Sequence, residues 1–225
     1  MIRVSDLIVD YNEKGNKFRA LNGIDLFIKE NTFVSIVGRS GSGKSTLLSA
    51  LGGLQYPTSG LVLVDEKNIY ECNKNQLADY RCKKIGFIFQ AFHLEELYTS
   101  YQNIEICLMI SQFPKKERKK HIMDLLAKVG MEDKSDIQVG KLSGGEKQRI
   151  CIARAIANNP DIILADEPCG NLDSYNGEIV MNLLQMLANE GKTVILVTHN
   201  IDDALKTERV IELRDGKVVK DEYNG

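Results

Sequence analysis

No stretch of this sequence approaches the roughly 18–20 consecutive apolar residues that a membrane-crossing helix needs. The opening Met1-Ile2-Arg3-Val4-Ser5-Asp6 also lacks the long apolar core of a secretory leader. Neither a membrane span nor a signal peptide is expected, and a cytoplasmic protein is. An excess of charge is missing too: 29 Lys and Arg stand against 31 Asp and Glu, a formal net charge of -2, which gives no overall attraction for nucleic acid or anionic lipid. No nucleic-acid partner is expected. The five cysteines (Cys72, Cys82, Cys107, Cys151, Cys169) are odd in number and form no C-x-x-C pair, which argues against a disulfide framework or a zinc site. They read as reduced thiols without a redox task. Repeats and low-complexity segments are absent.

What is present is a globular composition, 43% hydrophobic over 225 residues, enough to bury a core. Short β patterns cover Val4–Tyr11, Ala20–Ile28, Thr32–Val37 and Leu61–Val64, separated by Gly, Asn and Pro breaks. Further apolar strand patterns lie at Ile85–Phe89, Ile162–Asp166, Thr193–Val197 and Val210–Leu213, the punctuation of a parallel α/β sheet. Between Gln90 and Ala157 the strand patterns vanish. Apolar spacing there predicts helices over Tyr101–Ser111, Lys115–Val129 and Gln148–Ala157. The chain ends soon after a hairpin-like Arg214-Asp215-Gly216-Lys217, so a single domain over 1–225 is expected, without an appended regulatory domain. Within it, residues 1–89 and 158–225 would form a core with a β subdomain, and 90–157 a helical insert.

Gly38-Arg39-Ser40-Gly41-Ser42-Gly43-Lys44-Ser45, followed by Thr46, fits G-x-x-x-x-G-K-[ST] after a strand and before a helix over Ser45–Leu51 that Gly52-Gly53 stops. Glycines let the backbone wrap a polyphosphate, Lys44 reaches its terminal phosphates, and the Ser45 hydroxyl suits Mg²⁺. The strand Ile162–Ala165 ends in adjacent carboxylates, Asp166 and Glu167. Period-two alternation aims them apart, so one suits Mg²⁺ through its water shell and the other a general base for in-line attack of water on the γ phosphate. Leu142-Ser143-Gly144-Gly145-Glu146-Lys147-Gln148-Arg149 forms a second anion cradle, because free N–H groups and a positive dipole end project from the start of a helix.

That octapeptide resembles the signature sequence of ABC-type ATPases, and nearly the whole chain is similar to the ATP-binding subunit of an ABC transporter. The resemblance implies an α/β phosphate-loop NTPase core of mixed sheet and helices, with an antiparallel β subdomain and an inserted α-helical subdomain. It implies ATP hydrolysis with ATP and Mg²⁺, with Tyr11 stacking on adenine, Gln90 contacting Mg²⁺ and the attacking water, Asp173 in a loop that crosses between protomers, and His199 near the γ phosphate. It also implies a head-to-tail homodimer formed on ATP binding, in which Ser143, Gly144 and Gly145 of one copy close on the nucleotide of the other. Ala165-Asp166-Glu167-Pro168-Cys169-Gly170-Asn171-Leu172-Asp173-Ser174 is similar to the branch of macrolide exporters, lipoprotein-release and antimicrobial-peptide-resistance transporters and FtsE, although Cys169 stands where threonine is usual. An integral membrane permease of FtsX or MacB type, docked at the cytoplasmic face through Phe92, Leu94, Leu97, Tyr98 and Tyr101, is the implied partner. That segment lacks the branch's usual proline. Lys115–Lys120 reads as a solvated helix face. Two other readings stay open: a soluble ABC ATPase acting on nucleic acid or the ribosome, which would want a tandem cassette, coiled-coil insert or basic arm, and mechanotransmission without transport.

Overall fold

Alternating apolar residues near the start of the chain fold into a long hairpin. In the computed structural model, which describes residues 1–13 and 16–224, β1 (Ile2–Glu13) pairs antiparallel with β2 (Asn16–Ile28) and buries Ile2, Val4, Leu7 and Val9. A register shift between Val4 and Leu7, with Asp6 at φ 43°, returns the alternation to the same face. Both strands run past their expected limits because polar partners continue the ladder. Arg19 donates to the Asp10 carboxylate at 2.7 and 3.1 Å across the exposed end.

Along the chain follow β3 (Phe33–Val37), α1 (Lys44–Leu51), β4 (Ser59–Val64), β5 (Lys67–Asn68), α2 (Lys74–Lys83), β6 (Ile85–Ile88), α3 (Ser100–Ile110) and α4 (Lys115–Lys128). The remainder is α5 (Gly144–Ala155), β7 (Ile162–Asp166), α6 (Ser174–Asn189), β8 (Thr193–Val197), α7 (Ile201–Leu205), β9 (Arg209–Arg214) and β10 (Lys217–Tyr223). One sheet is antiparallel, in the order β2-β1-β4-β5. The other has six strands in the order β10-β9-β3-β8-β7-β6, parallel throughout except for the edge strand β10. The fold is thus α/β, with a mixed-sheet core, an antiparallel β layer and helical parts.

Apolar side chains cover both faces of the six-stranded sheet, which is why β8 is buried at every residue and reads as a continuous apolar run. On one face Ile36, Ile195 and Ile211 pack with α1 and the antiparallel sheet, through Leu47, Leu51, Leu21 and Val62. On the other, Phe33, Ile163 and Leu196 pack with α3 to α6 through Ile104, Leu126, Ile150 and Leu184. Arg209 fastens the two sheets together: it grips Asp221 through two 2.6 Å bonds and donates to the Phe27 carbonyl at 2.6 Å. The carboxyl ends of β3, β6, β7 and β8 lie side by side, the edge at which open α/β sheets bind ligands.

Among the helices, one start differs from expectation by a full turn. The last helix of the 100–155 region begins at Gly144 rather than Gln148, because Ser143 and Glu146 cap each other's backbone and this outweighs the low helix propensity of two glycines.

Candidate active site

The chain leaves β3 at Val37 and enters α1 at Lys44 through the glycine-rich loop. Gly43 takes φ 101°, and a Cβ there would stand 2.5 Å from the Ala20 carbonyl, so only glycine lets the loop lie against β2. Lys44 Nζ donates to the carbonyls of Gly38 (2.8 Å) and Arg39 (3.0 Å), holding the loop in a ring around its own ammonium. Side chains cap the N-termini of α2, α3, α5, α6 and α7 but not those of α1 and α4; α4 carries Glu117 in its first turn, whereas no acid lies in that of α1. Its first N–H groups are left to an anion.

These groups face a cleft of about 260 Å³ lined by Tyr11, Phe18, Ala20, Ser40, Gly41, Ser42, Gly43, Lys44, Ser45, Thr46 and Glu167. Tyr11 and Phe18 are register partners across the β1–β2 hairpin, so the cleft has two neighbouring aromatic rings where the sequence pointed to one. Phe18 escaped sequence reading because only the hairpin register brings it beside Tyr11. Arg39 is exposed and shares a recess with Glu212, Arg214 and Asp215 on the other side of the loop.

Asp166 and Glu167 reach different partners, as their alternation requires. Asp166 Oδ1 accepts from the Ser45 hydroxyl at 3.0 Å. Burial pushes the Asp166 carboxyl above its ordinary range, with Glu167 adding to the rise, while the Ser45 bond and Lys44 oppose it. Glu167 leaves the strand line with φ 45°, a left-handed conformation that side chains seldom adopt. The turn is held by Glu167 N–H donating to the Val197 carbonyl and Gly170 N–H to the Glu167 carbonyl, at 2.9 and 3.0 Å. Thus turned, Glu167 lines the cleft and its Oε2 meets His199 Nδ1 at 3.2 Å.

The other expected residues sit elsewhere. Gln90 follows β6 beside the 170–173 turn: its carbonyl accepts from Asn171 Nδ2 at 3.3 Å, and a Cβ on Gly170 would lie 3.0 Å from its Nε2. Ser143 accepts from the Glu146 N–H, while Glu146 Oε2 accepts from the Ser143 N–H at 2.8 Å. Gly144 neighbours Leu172, and Gly145 lies so close to Asn176 that a Cβ would overlap its amide. Asp173 caps α6 by accepting from the Asn176 N–H at 2.8 Å. None of Ser143, Gly144, Gly145 and Asp173 lines the Lys44 cleft. Cys169 fills its position as a donor, its thiol pointing to the Gly177 carbonyl at 3.6 Å; burial raises it to about 12 and keeps the proton on.

After Gln90, the apolar segment divides. Leu97 (82% exposed) and Tyr98 (45%) face solvent, whereas Leu94 and Tyr101 pack against the helical core. Among the described residues no helix is long and apolar enough to cross a membrane.

Residues 21–170 match the family described as ABC transporter. The chain is 41% identical over 222 residues to an uncharacterized ABC transporter ATP-binding protein, YvrO, of Bacillus subtilis, covering 99% of this chain and 97% of that protein. It is 46% identical over 201 residues to the macrolide export ATP-binding/permease protein MacB of Nitrosomonas europaea, covering 89% of this chain but 30% of that protein. The chain therefore spans nearly all of one relative and about a third of the other. It superposes with a TM-score of 0.93, at 41% identity and over 100% of its length, on 99% of the dimeric ATP-binding cassette MJ0796, solved in a post-hydrolysis state bound to ADP and Pi. The chain belongs to the ABC transporter family, and within it is an ATP-binding cassette and an ABC-type ATPase.

Proposed function

We propose that the protein hydrolyses ATP at two composite sites of a head-to-tail homodimer and drives a membrane permease with the motion. The carrying observation is a separation: Lys44, Ser45, Glu167 and the aromatic pair share one cleft, while Ser143–Gly145 and Asp173 cluster outside it. A second copy turned about a two-fold axis would bring its Ser143 tip over that cleft.

In this reading Tyr11 and Phe18 hold the adenine, and Gly38 to Thr46 wrap the phosphates. Lys44 gives up one of its two loop carbonyls to reach the terminal phosphate. The hard oxygens of Ser45 and Asp166 fit Mg²⁺, and a carboxylate left partly desolvated beside a serine hydroxyl is a site that a divalent cation would stabilise. Gln90 completes the set through its side-chain amide. When bound, Mg²⁺ supplies charge neutralisation on the phosphate oxygens. Glu167 Oε2 takes the proton of the attacking water, and His199, whose Nδ1 lies 3.2 Å from that oxygen, orients the carboxylate and faces the γ phosphate. The partner's Ser143 hydroxyl and the Gly144 and Gly145 N–H groups stabilise the charge that develops on the far side.

Residues 1–89 and 158–225 act as the nucleotide-holding core with its β layer, and 90–157 as the helical unit that carries the Ser143 tip. Leu97 and Tyr98 receive a permease of the MacB or FtsX type, which places the subunit at the cytoplasmic face of the membrane. The relatives' names and the exposure of those two side chains support this assignment. The test is steady-state hydrolysis of MgATP by Glu167→Gln. Loss of the base should slow turnover roughly 10²–10⁴-fold with ATP affinity kept; unchanged turnover would remove Glu167 from the role.

A further inference from the structure

On leaving β6 the chain must turn away from the sheet, and the carbonyls of Phe92 and His93 fall outside any strand or helix. Both are claimed by one helix. The Cys151 thiol points to the Phe92 carbonyl at 3.1 Å, Arg154 Nη2 donates to the same oxygen at 2.9 Å, and Arg154 Nη1 donates to the His93 carbonyl. His93 is bent into the left-handed region, φ 49°, with its ring edge-on to Phe89 at 5.2 Å. Burial raises the Cys151 thiol to about 12, so it remains a donor. Gln90 is therefore fixed from two directions, upstream by Asn171 on its own carbonyl and downstream by the Arg154 fork two and three residues on.

Arg154 lies in the last turn of α5, and Ser143 caps the first. The two are about 16 Å apart on one rigid element. A guanidinium that satisfies two successive carbonyls fixes orientation as well as distance, which a single-point ammonium does not. We propose that Arg154 is a positioning residue that makes Gln90 follow the signature helix, so that capture of Ser143 by the partner's nucleotide sets Gln90 at this chain's own nucleotide. This rests on the head-to-tail dimer above and names the side chain that would carry the coupling between its two sites.

The experiment measures steady-state hydrolysis against MgATP concentration for the full chain carrying Arg154→Met or Arg154→Lys, with equilibrium binding of a fluorescent ATP analogue in parallel. Arg154→Met is expected to keep the analogue's Kd within about 2-fold, lower kcat ~10-fold, the scale of a lost charge-assisted bond pair, and bring the Hill coefficient from above 1 to about 1. Arg154→Lys, which keeps the charge and one bond, is expected to fall between. A Hill coefficient equal to wild type, or a Kd weakened in step with kcat, would overturn the proposal. If Arg154→Met fails to fold, the Lys variant decides by the same criteria. Wild type that hydrolyses cooperatively beside an unaffected variant removes only the Arg154 role, whereas wild type with no cooperativity and no dimer removes the dimer itself.

Discussion

The Asp166 carboxyl is held where its charge is least welcome. Its folded pKa lies above the unfolded value of 3.8 because burial disfavours the anion. The sign follows from linkage: the protonated acid favours the folded state below pH 3.8, and that contribution is lost as pH rises through the raised value. At neutral pH the ionised group opposes folding in the nucleotide-free chain. Asp166→Asn should therefore raise the nucleotide-free melting temperature at pH 7, by roughly 2–4 °C for each kcal/mol relieved, with no advantage below about pH 3.8. It should also abolish the extra stability that wild type gains from MgATP. A thermal melt at both pH values checks this, and a lower melting point at pH 7 would contradict it. The aromatic pair gives a second expectation. Phe18→Ala should raise KM for ATP about 10-fold with kcat little changed, since stacking on a base is worth ~1–3 kcal/mol and an exposed ring supports little else. A fall in kcat at constant KM would place Phe18 outside the adenine site.

At the scale of elements, α5 is a structural helix capped by Ser143 and, in the proposed dimer, also the bearer of an anion tip, so the Ser143 hydroxyl would serve both roles. In the isolated subunit it accepts from the Glu146 N–H at 3.3 Å. Ser143→Ala should cost about 1 kcal/mol of stability and Ser143→Gly only a few tenths, yet both lose the hydroxyl from the partner's nucleotide. Turnover should thus fall alike in the two variants while their melting temperatures differ; turnover that tracks the melting temperature would make Ser143 merely a cap. The 92–101 segment divides differently. Leu97→Glu should leave hydrolysis by the purified subunit unchanged and release it from permease-containing membranes, as read by co-sedimentation; loss of folding would refute its place on the docking surface. Short, locally specified elements were legible in the sequence: the glycine loop and the strand ending at Asp166 follow from spacing, whereas His199 after β8 came from the family resemblance. The start of α5 was not, because a Gly-Gly pair reads as a breaker until the reciprocal Ser143 and Glu146 bonds are seen. Leu94 and Tyr101 read as surface partners of Leu97, but helical packing draws them inward, and Phe18 depends on a cross-strand register that no local pattern records.

For the whole molecule, the two sheets and the helices put Lys44, Ser45 and Glu167 at one cleft and Gly144 and Gly145 against the 171–176 segment, outside that cleft. Neither half is a complete site for a transition state that needs charge stabilisation from opposite sides. A backbone-and-dipole contact is worth only about 0.3–2 kcal/mol, so in the proposed dimer bound nucleotide would hold the copies together and its hydrolysis would release them. The most direct test is the solution mass of Glu167→Gln by light scattering at saturating MgATP, alone and combined with Ser143→Arg. Composite sites predict twice the 25.2 kDa chain mass for the single variant, reverting to the chain mass without nucleotide and in the double variant. A Glu167→Gln protein that binds MgATP yet stays at 25.2 kDa would contradict the account.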